Sequence, residues 1–137
     1  YPTHDISPRD AIVIRLAEMY LIKAECQLNV DGGGAAMTTI NQLREQRAKP
    51  GTDNSLTGTA TLETILEERA IELCGEQQRW FDLKRTKTLV SRVKAYNAQG
   101  AANVEDYHLL RPIPQAQLDA VTNLSSQGQG FWQNDGY

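Results

Sequence analysis

The chain is predicted to be all-α, built from tetratricopeptide-like helical hairpins joined by long loops and closed by an extended C-terminal tail. Three observations predict this. Apolar residues recur at helical spacing in several separate segments. No stretch shows strand-like alternation above noise. Two successive helices also repeat a small-and-large pattern, Leu16, Ala17 and Tyr20, then Ala36, Ile40 and Leu43, which echoes a tetratricopeptide hairpin.

The first helix is expected from about Pro8 to Leu28. Ser7-Pro8-Arg9-Asp10 supplies a capping hydroxyl, a proline at the first helical position and an acid in the first turn. Its apolar residues cover most of the circumference, leaving a narrow polar strip of Arg15, Glu18 and Glu25, so burial on several sides is expected. Asp31-Gly32-Gly33-Gly34 ends it, because glycine adopts a left-handed cap cheaply. No Gly-Lys-Ser/Thr follows and no strand precedes, so this is not a phosphate loop. A second helix over about Ala35–Arg47 completes an antiparallel hairpin, whose link is about seven residues longer than the repeat pattern allows.

Lys49–Ala60 is a polar loop, and Thr61 is placed to cap a third helix. Gly75 is expected to end or bend that helix near Glu76–Gln78. A further helical piece starts at Trp80-Phe81, and another spans about Thr88–Asn97. Gln99–Asp106 is a loop. Leu109–Pro114 is extended, because each proline disfavours helix in the residue before it. It leads into a short helix, Gln115–Ala120. The tail from Leu124 is polar, but Phe131, Trp132 and Tyr137 predict that it docks.

The 137 residues amount to one domain. A net charge of −3 leaves no basic excess for phosphates, so nucleic acid is not expected as a partner. The basic run Lys84–Lys87 reads as a solvated helix end. No apolar run reaches the roughly 20 residues of a membrane span, and neither a signal peptide nor an N-terminal lipidation cysteine is expected within these residues. The chain starts at Tyr1-Pro2 without Met and is expected to be a piece of something longer. Cys26 and Cys74 are too few for a zinc site and read as small buried residues, with a disulfide left open. His4 and His108 each stand without a second ligand at metal spacing.

The segment ERAIELCGEQQRWFDLKR, residues 68–85, carries the most chemistry. Leu62, Ile65, Leu66, Ala70 and Leu73 form an apolar arc, and Arg69, Glu72 and Glu76 project into or beside it. Charges aimed at a core must be paired. Arg69–Glu72 and Glu76–Arg79 have the spacing of pairs on one helix, whereas Glu72–Glu76 is like-charged and needs a donor beside it. A glycosidase pair needs two carboxyls facing across a sugar-sized cleft, which neighbours on one helix with an arginine between them fit poorly. Arg69, Glu72, Glu76 and Arg79 are therefore expected to form a structural network, with no catalytic residue. Trp80 and Phe81 read as core. Phe131 and Trp132 are the weak candidates for ligand contact.

Four blocks of the chain resemble the SusD/RagB family. RLAEMYLIKAE, residues 15–25, is similar to the family's RLAEvYLiyAEA, and Ile40-Asn41-Gln42-Leu43-Arg44 to the INxvR that follows it. Glu68-Arg69, Glu72-Leu73, Glu76 and the RWFDLKR of residues 79–85 resemble ERrrELafEgxRWfDLkR. Residues 109–114, LLRPIP, resemble LxPIP, and residues 133–137, QNDGY, the terminal QNPGY. Ala70 and Ile71 stand where the family has a basic pair, Cys74-Gly75 where Ala-Phe is common, Gln77 for Gly and Asp135 for Pro.

The resemblance implies the C-terminal portion of a mostly helical, non-catalytic surface lipoprotein of the Bacteroidetes outer membrane, anchored by lipid at an N-terminus outside these residues. It implies binding of a polysaccharide, oligosaccharide or other nutrient through variable loops, a TonB-dependent SusC-like transporter as partner, and no cofactor. The alternative is a helical-hairpin module that holds a protein partner without a small ligand.

Overall fold

A computed structural model describes residues 13–121 and 132–137. Among them are six α-helices and no strand: α1 Leu16–Val30, α2 Gly33–Glu45, α3 Leu62–Glu72, α4 Arg79–Arg85, α5 Leu89–Tyr96 and α6 Gln115–Ala120, with a 3-10 turn at Asp106–Leu109. The all-α class is as expected. The chain divides into two compact units, Tyr1–Arg79 and Trp80–Tyr137.

The first unit is three helices around two small apolar clusters. Ala24, Ala36, Met37, Ile40, Ala60 and Ile65 form one, with Leu28 and Leu56 against it. Ala17, Leu21, Leu43 and Leu73 form the other. These clusters fix the directions of the helices. Early α1 meets late α2 and late α1 meets early α2, so the two are antiparallel, while α3 packs against α1 and runs in the same direction as α2. The start of α1 and the ends of α2 and α3 therefore gather at one end of the unit.

Several boundaries differ from the sequence reading. The Ser7–Asp10 start signal lies outside the described residues, but Arg15 has extended backbone (φ −134°, ψ 163°) and α1 begins only at Leu16. The link between α1 and α2 is just Asp31 and Gly32, because Gly33 and Gly34 are already helical. Gly33 is fixed by close approach: its carbonyl accepts from Ala60 N at 3.0 Å, and any side chain there would run into the Ala60 carbonyl. The polar loop after α2 is pinned by Asn41, whose amide exchanges bonds of 2.9 and 2.8 Å with the backbone of Leu56. Thr61 caps α3 in a capping box with Thr64.

α1 buries a single face, Ala17, Leu21 and Ala24, rather than several. Cys26 and Cys74 are exposed free thiols, against the expectation of burial. Cys26 sits on the outer side of α1, and Cys74 in the turn after α3.

In the second unit the tail docks through its amides. Gln133 Nε2 donates to the Ile113 carbonyl at 2.9 Å, and its Oε1 accepts from Ile113 N at 2.7 Å. Asn134 Nδ2 donates to the Arg111 carbonyl at 2.7 Å and the Tyr137 hydroxyl to the Leu110 carbonyl at 2.7 Å. Pro112 and Pro114 lack N–H groups, so this extended stretch offers mostly acceptors, and amide side chains suit it. Gly136 (φ +94°) passes so close to the Tyr107 ring that no side chain fits.

Truncating a filled position at the centre of the first unit should leave a cavity. Leu21→Ala is expected to lower unfolding free energy by about 2–5 kcal/mol, and Leu16→Ala, on the exposed side of the same helix, by less than about 0.5 kcal/mol. Urea unfolding of both variants checks the difference.

Candidate functional site

The densest chemistry is a charged cluster where the start of α1 meets the ends of α2 and α3. α3 ends at Glu72, with Leu73 as its cap; residues 73–77 turn, and Gly75 (φ +82°) and Gln77 (φ +61°) take left-handed backbone. Glu76 is therefore off the helix, and the expected helical register of Glu72, Glu76 and Arg79 does not apply. The unwinding is local in cause: a glycine at position 75 takes the positive φ at no steric cost.

The ion pairs are tertiary. Arg15 Nη1 donates to Glu72 Oε1 at 2.6 Å, and Arg15 Nε to Glu76 Oε1 at 2.8 Å, so one guanidinium lies between the two carboxylates. Its Nη2 also donates to the Glu72 carbonyl, one of the acceptors left over at the end of a helix. Arg47 reaches Glu72 from beyond the end of α2, with Nη2 at 2.7 Å from Oε1. One turn earlier, Arg44 Nη1 donates to Glu68 Oε2 at 2.7 Å, and its Nε to the Asn54 carbonyl at 2.6 Å. Arg69, 5% exposed, lies 3.8 Å from Glu18 of α1. Arg79 Nη1 donates to the Leu66 carbonyl at 2.7 Å.

The structure thus brings Glu72 and Glu76 together through Arg15, and carries Arg69 and Arg79 to Glu18 and to backbone. The sequence reading missed Arg15, Arg44 and Arg47 as partners and the burial of Glu68. A signal was present: Arg15 adjoins the largely apolar run Leu16–Leu21, and a charge so placed needs a counter-ion on a neighbour.

The electrostatics bear on chemistry. Hydrogen bonds from Arg47, then Arg15, hold the Glu72 carboxyl below its ordinary value, against the opposing effect of burial. Glu76 and Glu72 hold Arg15 above its ordinary value, and Glu72 does the same for Arg47. A general acid working near neutral pH needs a raised carboxyl pKa, so Glu72 is shifted the wrong way for that role. No group of three or more His, Cys, Asp or Glu among the described residues could hold a metal ion. Beside the turn after α3 is a hollow of about 340 Å³ with Arg69 and Arg79 in its wall.

The aromatic candidates separate. Phe131 lies outside the described residues, and Trp132 is 76% exposed. Trp80 is half-buried, whereas Phe81 is 64% exposed, against the expectation of core. On a helix as short as α4 the inward positions fall to Asp82 and Leu83 instead; Asp82 pairs with Arg85 at 2.9 Å. Trp80, Leu89, Val93, Val104 and Tyr137 line an open hollow of about 280 Å³ in the second unit. The Arg111 guanidinium sits 4.9 Å from the centre of the Trp80 ring and occupies one of its faces. The hollow is mostly apolar, with Asn103, His108 and Arg111 also in its wall, and it is at the small end for a ligand pocket, about 300 Å³ upward.

The sequence profile of the SusD family matches residues 3–137. The chain belongs to the SusD family. It is 35% identical to "SusD-like protein P25" of Formosa agariphila, the alignment covering 83% of this chain and 24% of that protein. It is 33% identical to "SusD-like protein P2" of the same organism, over 91% of this chain and 26% of the relative. A "SusD-like protein" of Bacteroides ovatus is 34% identical over 56% of this chain and 14% of its own length. The chain thus spans about a quarter of the length of the first two SusD-like relatives. No solved structure matches it. Arg15, Arg44, Glu68, Glu72 and Glu76 fall in the blocks that carry the family resemblance, and Arg47 lies outside them.

Glu72 links stability to pH with a definite sign. Its carboxyl titrates lower in the folded state than its ordinary value of 4.5, so the stability it adds is fully present above about pH 4.5 and is lost as pH falls through the lower folded value. Glu72→Gln should cost about 1–3 kcal/mol at pH 7, between the values for exposed and buried pairs. The loss should shrink below pH 4, which denaturant melts at pH 7 and pH 3.5 would reveal.

Proposed function

We propose that this chain is the scaffold portion of a non-catalytic nutrient-binding protein of the outer-membrane surface, lipid-anchored through a part of the protein outside these residues. Glycan is the ligand class, and the protein helps to load a TonB-dependent, SusC-like transporter. The observation that carries this reading is the family match over residues 3–137. The arrangement of acids supports it from another side: Glu68, Glu72 and Glu76 each hold an arginine at 2.6–2.7 Å. They are spent on joining helices rather than set across a cleft. No helix among the described residues is long and apolar enough to cross a membrane.

In this reading Arg69, Glu72, Glu76 and Arg79 are structural, and the ligand is met by loops largely outside this chain. Trp132, exposed on the tail, is the described residue of this chain offered for ligand contact.

Isothermal titration calorimetry of the complete protein against a panel of oligosaccharides tests the proposal. Saturable binding is expected, unchanged by Glu76→Gln. Tight capture of a transporter with no saccharide binding would favour the protein-interaction module instead. Hydrolysis of a polysaccharide that Glu72→Gln or Glu76→Gln abolishes would overturn the non-catalytic reading.

A further inference from the structure

α1 has two apolar faces, and only one is covered. Ala17, Leu21 and Ala24 point inward. Leu16 (71% exposed), Met19, Ile22 and Val30 (82%) are open, and Cys26 is exposed among them. At 3.6 residues per turn these five positions fall in one stripe along the side of the helix opposite the buried residues. The stripe runs the full length of the helix, and Val13 and Ile14, just before it, are exposed as well.

The neighbouring helix α2 does not share this exposure. The outward positions of α2 are Thr38, Gln42 and Glu45, which suit water. A single exposed leucine needs no explanation, but a continuous apolar stripe on a helix whose neighbour is polar on its outer side marks a contact face. In hairpin repeats each pair of helices leaves one apolar face that only the next pair covers.

Length selects the occupant. The chain covers 24% and 26% of its SusD-like relatives, so about three quarters of such a polypeptide lies elsewhere. We infer that the outer stripe of α1 is the docking face for an amphipathic helix from the remainder of the same polypeptide. α1 is then the inner helix of a stack rather than its edge. The partner helix presents apolar residues at i, i+3/i+4 and i+7, and an acid opposite the exposed Lys23, which lies within the stripe between the positions of Val30 and Leu16. The inference draws on length and surface, not on the ligand, so its failure would leave the nutrient-binding reading standing.

Cys26 reports on this face directly. With Cys74→Ser as background, maleimide labelling of Cys26 is followed in the 137-residue chain and in the full gene product. The short chain should label at nearly the rate of its denatured form, and the full product at least about tenfold more slowly. Met19→Glu in the full product should restore fast labelling; the wild-type comparison decides alone if that variant does not fold. Equal rates in the two proteins would overturn the inference. Concentration-dependent protection of the short chain would also overturn it, in favour of a second copy. Protection that does not depend on concentration would do so in favour of the chain's own second unit. A gene that encodes only these 137 residues would end it.

Discussion

Glu72 is where three helices are tied. It takes an arginine from the first residue before α1 and another from just past the end of α2, at 2.6 and 2.7 Å. Its own backbone carbonyl, an acceptor at the end of α3, is served by the same Arg15. The C-terminal end of a helix is an unfavourable place for a carboxylate, because the helix dipole is negative there. Two guanidiniums reverse that penalty only if the start of α1 and the end of α2 arrive at the same point as the end of α3. The packing of Leu21, Leu43 and Leu73 beneath them meets that condition. Charge and core therefore constrain each other: a shift of register in any helix would bury a carboxylate without its partner, at a cost of several kcal/mol.

That arrangement also decides what the acids can do. A cluster of Glu68, Glu72 and Glu76 is close in composition to a hydrolytic site, but each acid faces a guanidinium instead of a cleft. Arginine beside Glu72 favours its charged form, which supports a clip between helices and opposes proton donation. The second unit follows a similar economy with neutral groups. Gln133, Asn134 and Tyr137 bind the carbonyls of an extended segment whose prolines leave few donors. In both units, motifs distant in sequence hold each other, so the family blocks read as fastenings of a scaffold.

Much of this was legible in the residues. The all-α class, the Thr61 cap, the helix near Thr88–Asn97, the short helix at Gln115 and the extended prolines follow from local rules, and local rules suffice where a cap or a proline sets the backbone. What failed depended on tertiary context. Periodicity shows that Glu72 faces inward but not that Arg15 and Arg47 will meet it, since those partners lie 57 and 25 residues away. One glycine at position 75 unwound the register on which the expected Glu76–Arg79 pair rested. Cys26 and Phe81 read as core by residue type, yet lie on outward faces because each helix buries a single narrow side. Of the tail's aromatic rings Tyr137 docks, edge-on to Tyr107 and His108, while Trp132 stays exposed, and the amides of Gln133 and Asn134, which residue type did not single out, share the fastening.

The central claim is that Arg15 and Glu72 stabilise the fold as a pair across 57 residues of sequence. A double-mutant cycle measures that directly: unfolding free energies of the unaltered chain, Arg15→Met, Glu72→Gln and the double variant, at pH 7. The account predicts a coupling of about 1–3 kcal/mol, the range for residues in one ion-pair network. Strictly additive effects, with coupling within about 0.3 kcal/mol of zero, would contradict it.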